Sequence, residues 1–215
     1  MEWSRIEPSE GDFCDEVVEH YISFFSELKE KGIKVFATMV HFSHPEWFEK
    51  IGHFTKAENI KYFERYLEYV VPKIAPYVDY WNVINEFNLQ KNIDQRLNSV
   101  LFHARGYHII KKYSKAPVST AHALVYYQPT RPHDRWDKAM TEYMDLCDHE
   151  FFFHAIRTGE ILFPRRDGIF SKEVKDSLDF WAVNTYVRDM IDTRKSNLKG
   201  KRYDHAFLPL IDKEF

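Results

Sequence analysis

Tyr80-Trp81-Asn82-Val83-Ile84-Asn85-Glu86 is the stretch on which the fold turns. It reads as a buried strand that ends in an amide and a carboxylic acid. Working outward, strand and helix signals alternate on both sides of it. Upstream, Ile33 to Val40 is almost continuously apolar, as suits a parallel strand covered on both faces. Before that a helix is expected from Asp15 to about Lys31, with Val18, Tyr21, Phe25 and Leu28 on one stripe and Gly32 as its stop. Trp3 to Ile6 reads as the end of a strand, followed by turn chemistry at Pro8-Ser9-Glu10-Gly11. Between the two central strands, Thr55-Lys56-Ala57-Glu58 fits a capping box. The helix it opens carries Ile60, Phe63, Leu67, Val70 and Ile74, and Pro76 closes it. Downstream, the pattern predicts a helix from roughly Gln95 to Tyr113, a strand from Val118 to Leu124 and a long helix from about Trp136 to Arg157. A short helix from Ser171 and a strand from Leu178 to Tyr186 come next, and the polar tail from Thr193 to Arg202 reads as a loop.

Apolar strands alternating with helices mean a parallel α/β sheet. No Gly-rich phosphate loop follows any strand, which argues against a nucleotide-binding doubly wound fold. The fold class expected is α/β, a partial (β/α)8 TIM barrel of about five to six strand–helix units, forming a single domain over residues 1–215. A closed barrel needs eight such units. Hydrophobic content of 44% supports a packed core, and a net charge of −3 gives no electrostatic footprint for nucleic acid or a membrane. Cys14 and Cys147 lie too far apart in sequence to read as a disulfide framework or a zinc motif. The apolar runs are too short to span a bilayer, and the N-terminus lacks a basic-then-apolar leader pattern. The expectation is a cytoplasmic protein.

In such barrels the reacting residues sit at the C-terminal ends of the strands. Those tips read Arg5, then His41 and Phe42, then Asn85 and Glu86, then His122, then Asn184 and Tyr186. A set rich in hydrogen-bonding groups with one well-placed carboxylate suits a polyhydroxylated substrate. Glycosidic cleavage needs a proton donor to the leaving oxygen, and a partly buried glutamate serves that role. A neighbouring amide can bind the sugar hydroxyl beside the anomeric carbon, where hydrogen bonds strengthen in the transition state. Each residue also has a plainer reading: Glu86 as a surface glutamate or cap partner, His41 as a packed histidine, Asn184 and Tyr186 as polar decoration of a strand end. The 13 Tyr and 18 Phe read first as core packing, with some available to line a sugar cleft. Among the tryptophans, Trp136 is the one whose loop-rich setting suits a sugar platform. His41 and His44 are three apart in a loop with no third ligand read beside them, so neither a metal nor a cofactor is expected.

Four phrases carry a family likeness: Glu2-Trp3-Ser4-Arg5-Ile6-Glu7-Pro8, Thr38-Met39-Val40-His41-Phe42-Ser43-His44-Pro45, the central stretch ending in Asn85-Glu86, and Asp179-Phe180-Trp181-Ala182-Val183-Asn184-Thr185-Tyr186. Through them the chain resembles glycoside hydrolase family 1, the retaining β-glycosidases. The segment from Phe151 to Pro164 is similar to the stretch after the family's fifth strand. The resemblance implies a hydrolase of β-glucosides or β-galactosides, a place in carbohydrate metabolism, and Glu86 as general acid/base. It further implies Asn85 on the sugar 2-hydroxyl, His41 on hydroxyls of the glycone, and Asn184 and Tyr186 beside the catalytic centre, with Tyr186 bonded to the nucleophilic carboxylate.

Departures from the family pattern shape the remaining expectations. Phe87 stands where the family has the proline of Asn-Glu-Pro. The resemblance runs from the end of the family's second strand through its sixth, and the Thr-Glu-Asn-Gly phrase that carries its nucleophile does not occur. The expectation is therefore a fragment of a β-glycosidase whose activity as an isolated chain is open. The alternatives are a non-catalytic carbohydrate-binding or assembly protein, and one half of a split enzyme. The partners expected are a small-molecule β-glycoside and a complementary barrel-half chain or a second copy, with no nucleic acid and no membrane.

Overall fold

The computed structural model describes residues 1–194. In chain order its elements are α1 (Trp3–Ile6), α2 (Asp15–Glu30), β1 (Phe36–Val40), α3 (Glu46–Lys50), α4 (Ile60–Ile74), β2 (Tyr80–Ile84) and α5 (Ile93–Tyr113). Then come β3 (Val118–Ser119), β4 (Ala121–Pro129), α6 (Arg135–Asp145), α7 (Phe151–Thr158), β5 (Glu160–Ile161), β6 (Ile169–Phe170) and β7 (Ala182–Ile191).

β1, β2 and β3 pair in parallel in that order, with Val40 opposite Ile84 and Asn82 opposite Ser119. One residue later the chain resumes as β4, which pairs in parallel with β7, Ala123 opposite Asn184. Thr120 occupies the break. Its hydroxyl accepts the Ile84 N–H at 3.1 Å and donates to the Ile84 carbonyl at 2.8 Å, so a side chain replaces the ladder there. The result is a curved wall of four parallel strand positions, an unclosed part of a barrel among the described residues, where five to six were expected. β5 and β6 form only a two-residue antiparallel pair.

β2 is the best-covered strand, with Trp81 to Ile84 all buried, as its apolar sequence demands. α5 lies directly against it because residue 106 is glycine. A Cβ there would stand 2.4 Å from Val83 Cγ1, closer than any real contact allows. α4 packs beside α5, placing Phe63, Tyr66, Leu67, Val70 and Ile74 in the core. Trp3 seats on Tyr66 in a stacked pair at 4.7 Å, and its indole N–H donates to the buried Glu7 carboxylate at 2.8 Å. The Glu2–Pro8 phrase thus anchors the wall.

Three local expectations are corrected. Trp3–Ile6 is one helical turn rather than a strand, because its backbone bonds close locally (Ile6 N–H to Glu2 O, Glu7 N–H to Trp3 O). Thr55 does not cap a helix: its hydroxyl turns back to the Gly52 carbonyl, and α4 begins at Ile60 after two short 3-10 turns. The segment after Ser171 is a run of turns, not a helix. The long helix expected from Trp136 is present but interrupted, with one π-helical stretch at Leu146–Glu150 between α6 and α7. The loop expected from Thr193 lies almost wholly outside the described residues. Within them, no helix is long and apolar enough to cross a membrane.

Candidate active site

The site is built at the C-terminal end of β2. Asn85 N–H donates to the Val40 carbonyl at 2.9 Å and Glu86 N–H to the Ala121 carbonyl at 2.7 Å, so the tip is held from β1 on one side and β4 on the other. Glu86 then turns sharply. Its backbone is left-handed, φ 51° and ψ 38°, an uncommon state for a residue with a side chain. Phe42, at the tip of β1, makes the same kind of turn with φ 62°.

These turns gather side chains from three strands. Glu86 is 1% exposed. Its Oε1 accepts the Asn184 amide at 2.7 Å and the Tyr186 hydroxyl, both from β7. Asn85 is buried beside it, and its Oδ1 faces the Asn184 and Asn82 amides at 3.4 Å each. The Asn85 amide nitrogen lies 3.3 Å from His41 Nε2, which is exposed at the tip of β1. The sequence-predicted residues His41, Asn85, Glu86, Asn184 and Tyr186 therefore form one connected chain of polar contacts. Tyr186 departs from expectation in one respect: its hydroxyl bonds Glu86 rather than a separate carboxylate. Among the described residues no second carboxylate shares a hydrogen bond or ion pair with Glu86.

The bond to Glu86, with some burial, pushes the Tyr186 phenol up to about 12. The phenol is therefore a donor, never a phenolate, across the neutral range. His122, a tip residue by sequence, is not part of the site. Its Nε2 lies 2.9 Å from His149 Nδ1, and His149 Nε2 lies 2.9 Å from the Val125 carbonyl. A carbonyl accepts only, so His149 carries its proton on Nε2 and His122 donates from Nε2. Burial, reinforced by the neighbouring His149, drives the His122 ring down to about 3. Arg5 is exposed on the helical turn α1 and is not at a strand end.

Sequence reasoning missed the buried amides beneath the site. Asn82 Oδ1 accepts the Ala121 N–H at 2.8 Å. Asn88 pairs with both backbone groups of Ala123, accepting at 3.0 Å and donating at 2.8 Å. An asparagine inside an apolar stretch was the available signal, since a buried amide must find partners. Trp81 is buried, whereas Trp136 is 63% exposed at the start of α6 with the Arg135 guanidinium 5.0 Å over its ring.

Residues 1–96 match the model of the family described as Glycosyl hydrolase family 1. Similar curated proteins include the 6-phospho-beta-galactosidases of Staphylococcus epidermidis and Staphylococcus aureus (strain Newman). Each is 26% identical over 227 residues, covering 87% of this chain and 48% of the relative. The chain thus spans about half the length of these curated relatives. Among solved structures, a beta-glycosidase from Pyrococcus horikoshii superposes with TM-score 0.77 at 25% identity, over 86% of this chain and 46% of that one. A family 1 b-glucosidase from Thermotoga maritima gives 0.76 at 19% identity, over 87% and 49%, a likeness of fold. The resemblance to glycoside hydrolase family 1 read from the sequence holds, and it is partial in the relatives' length.

Proposed function

We propose that this chain carries the acid/base side of a family 1 β-glycosidase site and acts on β-O-glycosidic bonds. The observation that carries the reading is Glu86, buried at a strand tip, with two donors from β7 converging on one of its oxygens. In this reading Glu86 protonates the glycosidic oxygen as it leaves and then takes a proton from the water that completes the reaction. Asn85 binds the 2-hydroxyl, where a hydrogen bond strengthens as charge develops at the anomeric carbon. His41, exposed beside Asn85, receives hydroxyls of the glycone. Asn184 and Tyr186 fix the carboxyl group so that its other oxygen faces the substrate.

A retaining reaction also needs a nucleophilic carboxylate about 5 Å from the first. The reading gives that role to no described residue and expects it from another part of the polypeptide or from a complementary chain. Because the curated relatives are 6-phospho-beta-galactosidases, phosphorylated β-galactosides join unphosphorylated β-glycosides as candidate substrates.

The test is calorimetric titration with β-linked disaccharides, phosphorylated and not, alongside hydrolysis of aryl β-glucosides and β-galactosides. Expected is binding that Asn85→Ala weakens about tenfold, and turnover, where present, that Glu86→Gln abolishes while binding persists. Binding without turnover favours the carbohydrate-binding or split-enzyme reading. No binding at all by the unaltered chain, or undiminished turnover in Glu86→Gln, removes Glu86 from any such role.

A further inference from the structure

We infer that His44, Glu49 and His53 form a binding site for a divalent transition-metal cation of the zinc class, independent of the glycosidase reading. The three donor atoms, one from each residue, all lie within 4.8 Å of one another. His44 Nε2 is 2.6 Å from Glu49 Oε2, and His53 Nε2 is 3.8 Å from the same oxygen. Two imidazoles and a carboxylate are the ligand types that zinc and its neighbours prefer, in a set that leaves one position for water. Tetrahedral zinc with bonds of about 2.0–2.1 Å needs its ligands roughly 3.4 Å apart. Binding therefore moves the exposed Glu49 back from His44, now 2.6 Å away, and draws together the two imidazole donors, which lie within 4.8 Å.

The state of His53 is the second observation. Among the described residues, neither of its ring nitrogens makes a hydrogen bond. Nδ1 is buried without a partner, and Nε2 is too far from Glu49 for one. A half-buried imidazole normally satisfies at least one nitrogen with a protein group. Here His53 Nε2 faces Glu49 Oε2 at 3.8 Å with no hydrogen bond between them, and a cation shared with Glu49 and His44 supplies the missing interaction.

The scaffold is fixed as a ligand site requires. His44 precedes α3, Glu49 lies within it, and His53 follows the turn after it. That turn uses left-handed backbone twice, at Gly52 with φ 98° and at His53 with φ 36°, which swings the second imidazole back toward the first. The rings end 5.3 Å apart and nearly parallel, 21° between planes. Asn59 Nδ2 donates to the His53 carbonyl at 2.9 Å, and Asn98 Nδ2 clamps the carbonyls of Phe54 and Thr55 at 3.1 and 2.9 Å. Phe48 and Phe54 flank His44 edge-on, giving the cluster an apolar floor.

The test titrates the whole chain with Co2+ alone, then with Zn2+ alone as competitor. One equivalent of Co2+ should give the intense visible absorption of a four-coordinate site, and one equivalent of Zn2+ should bleach it. Glu49→Gln and His53→Asn should each weaken binding roughly 100-fold, at the upper end of what loss of even a supporting partner costs. Asparagine is chosen at 53 because it tolerates a left-handed backbone, and Glu49 is exposed, so both variants keep the fold by circular dichroism. Absence of saturable one-to-one binding, or unchanged affinity in both variants, overturns the assignment.

Discussion

Phe87 shows how one side chain sets the geometry of the site. A proline at 87, as in the family pattern, would press Glu86 toward extended backbone. Phe87 lifts that restriction, and Glu86 sits left-handed instead. The ring has its own anchor: it is 1% exposed and meets Phe152 edge-on at 5.1 Å and Phe151 at 6.3 Å. Phe87→Ala should therefore cost about 3–5 kcal/mol of stability, read from the urea midpoint, because it opens a cavity between β2 and α7. A cost below about 1 kcal/mol would mean that the site does not lean on this ring. Asn88→Ala should cost about 2–4 kcal/mol, since both backbone groups of Ala123 lose their partner in a buried place. The five site residues named from sequence all come together because strand tips must converge in a parallel wall. For Asn82 and Asn88 the apolar setting signalled a buried amide, but neither their partners nor those of Thr120 were legible, because these are backbone groups 35 to 39 residues away.

At the scale of elements, the periodic helices and apolar strands were legible wherever burial of one face or both decided the conformation, as in α2, α5, β1 and β2. Two of the departures share a cause, namely a threonine hydroxyl that took a backbone partner the pattern did not assume. Thr55 spent its hydroxyl on Gly52, and Thr120 took over ladder bonds and split one strand into β3 and β4. The π-helical stretch between α6 and α7 has a similar origin. It delivers Asp148 to Arg96 of α5, at 2.7 Å, and the Cys147 carbonyl to the same guanidinium at 2.9 Å. Both side chains are nearly enclosed, so this pair ties α5 to the α6–α7 corner. Arg96→Met should destabilise by about 3–5 kcal/mol, because it removes the guanidinium that Asp148 and the carbonyls of Gln90 and Cys147 share. Hydrogen exchange should show the loss first in 146–150; uniform loss across the chain would argue against a local clamp.

At the scale of the whole molecule, two enclosed imidazoles make the fold sensitive to acid. Burial lowers His103 to about 4 and His122 to about 3. Both are neutral in the folded chain, so the unfolded chain takes up protons first as the pH drops below about 6.5. Their stabilisation is complete above that value and is lost progressively as the pH falls from there toward the folded-state values, with roughly 2 kcal/mol gone for each ring by pH 5. Urea midpoints between pH 7.5 and 5 should decline accordingly; a flat profile would show that neither ring is enclosed. The hydrogen bonds of Glu86 carry a further consequence, this time for biosynthesis. Asn184 and Tyr186 lie 98 and 100 positions after the residue they clothe. At about 5–20 residues per second a ribosome spends roughly 5–20 s between making the glutamate and making its partners. For that interval the nascent polypeptide holds the acid on an unfinished ledge, without the two donors that later clothe it.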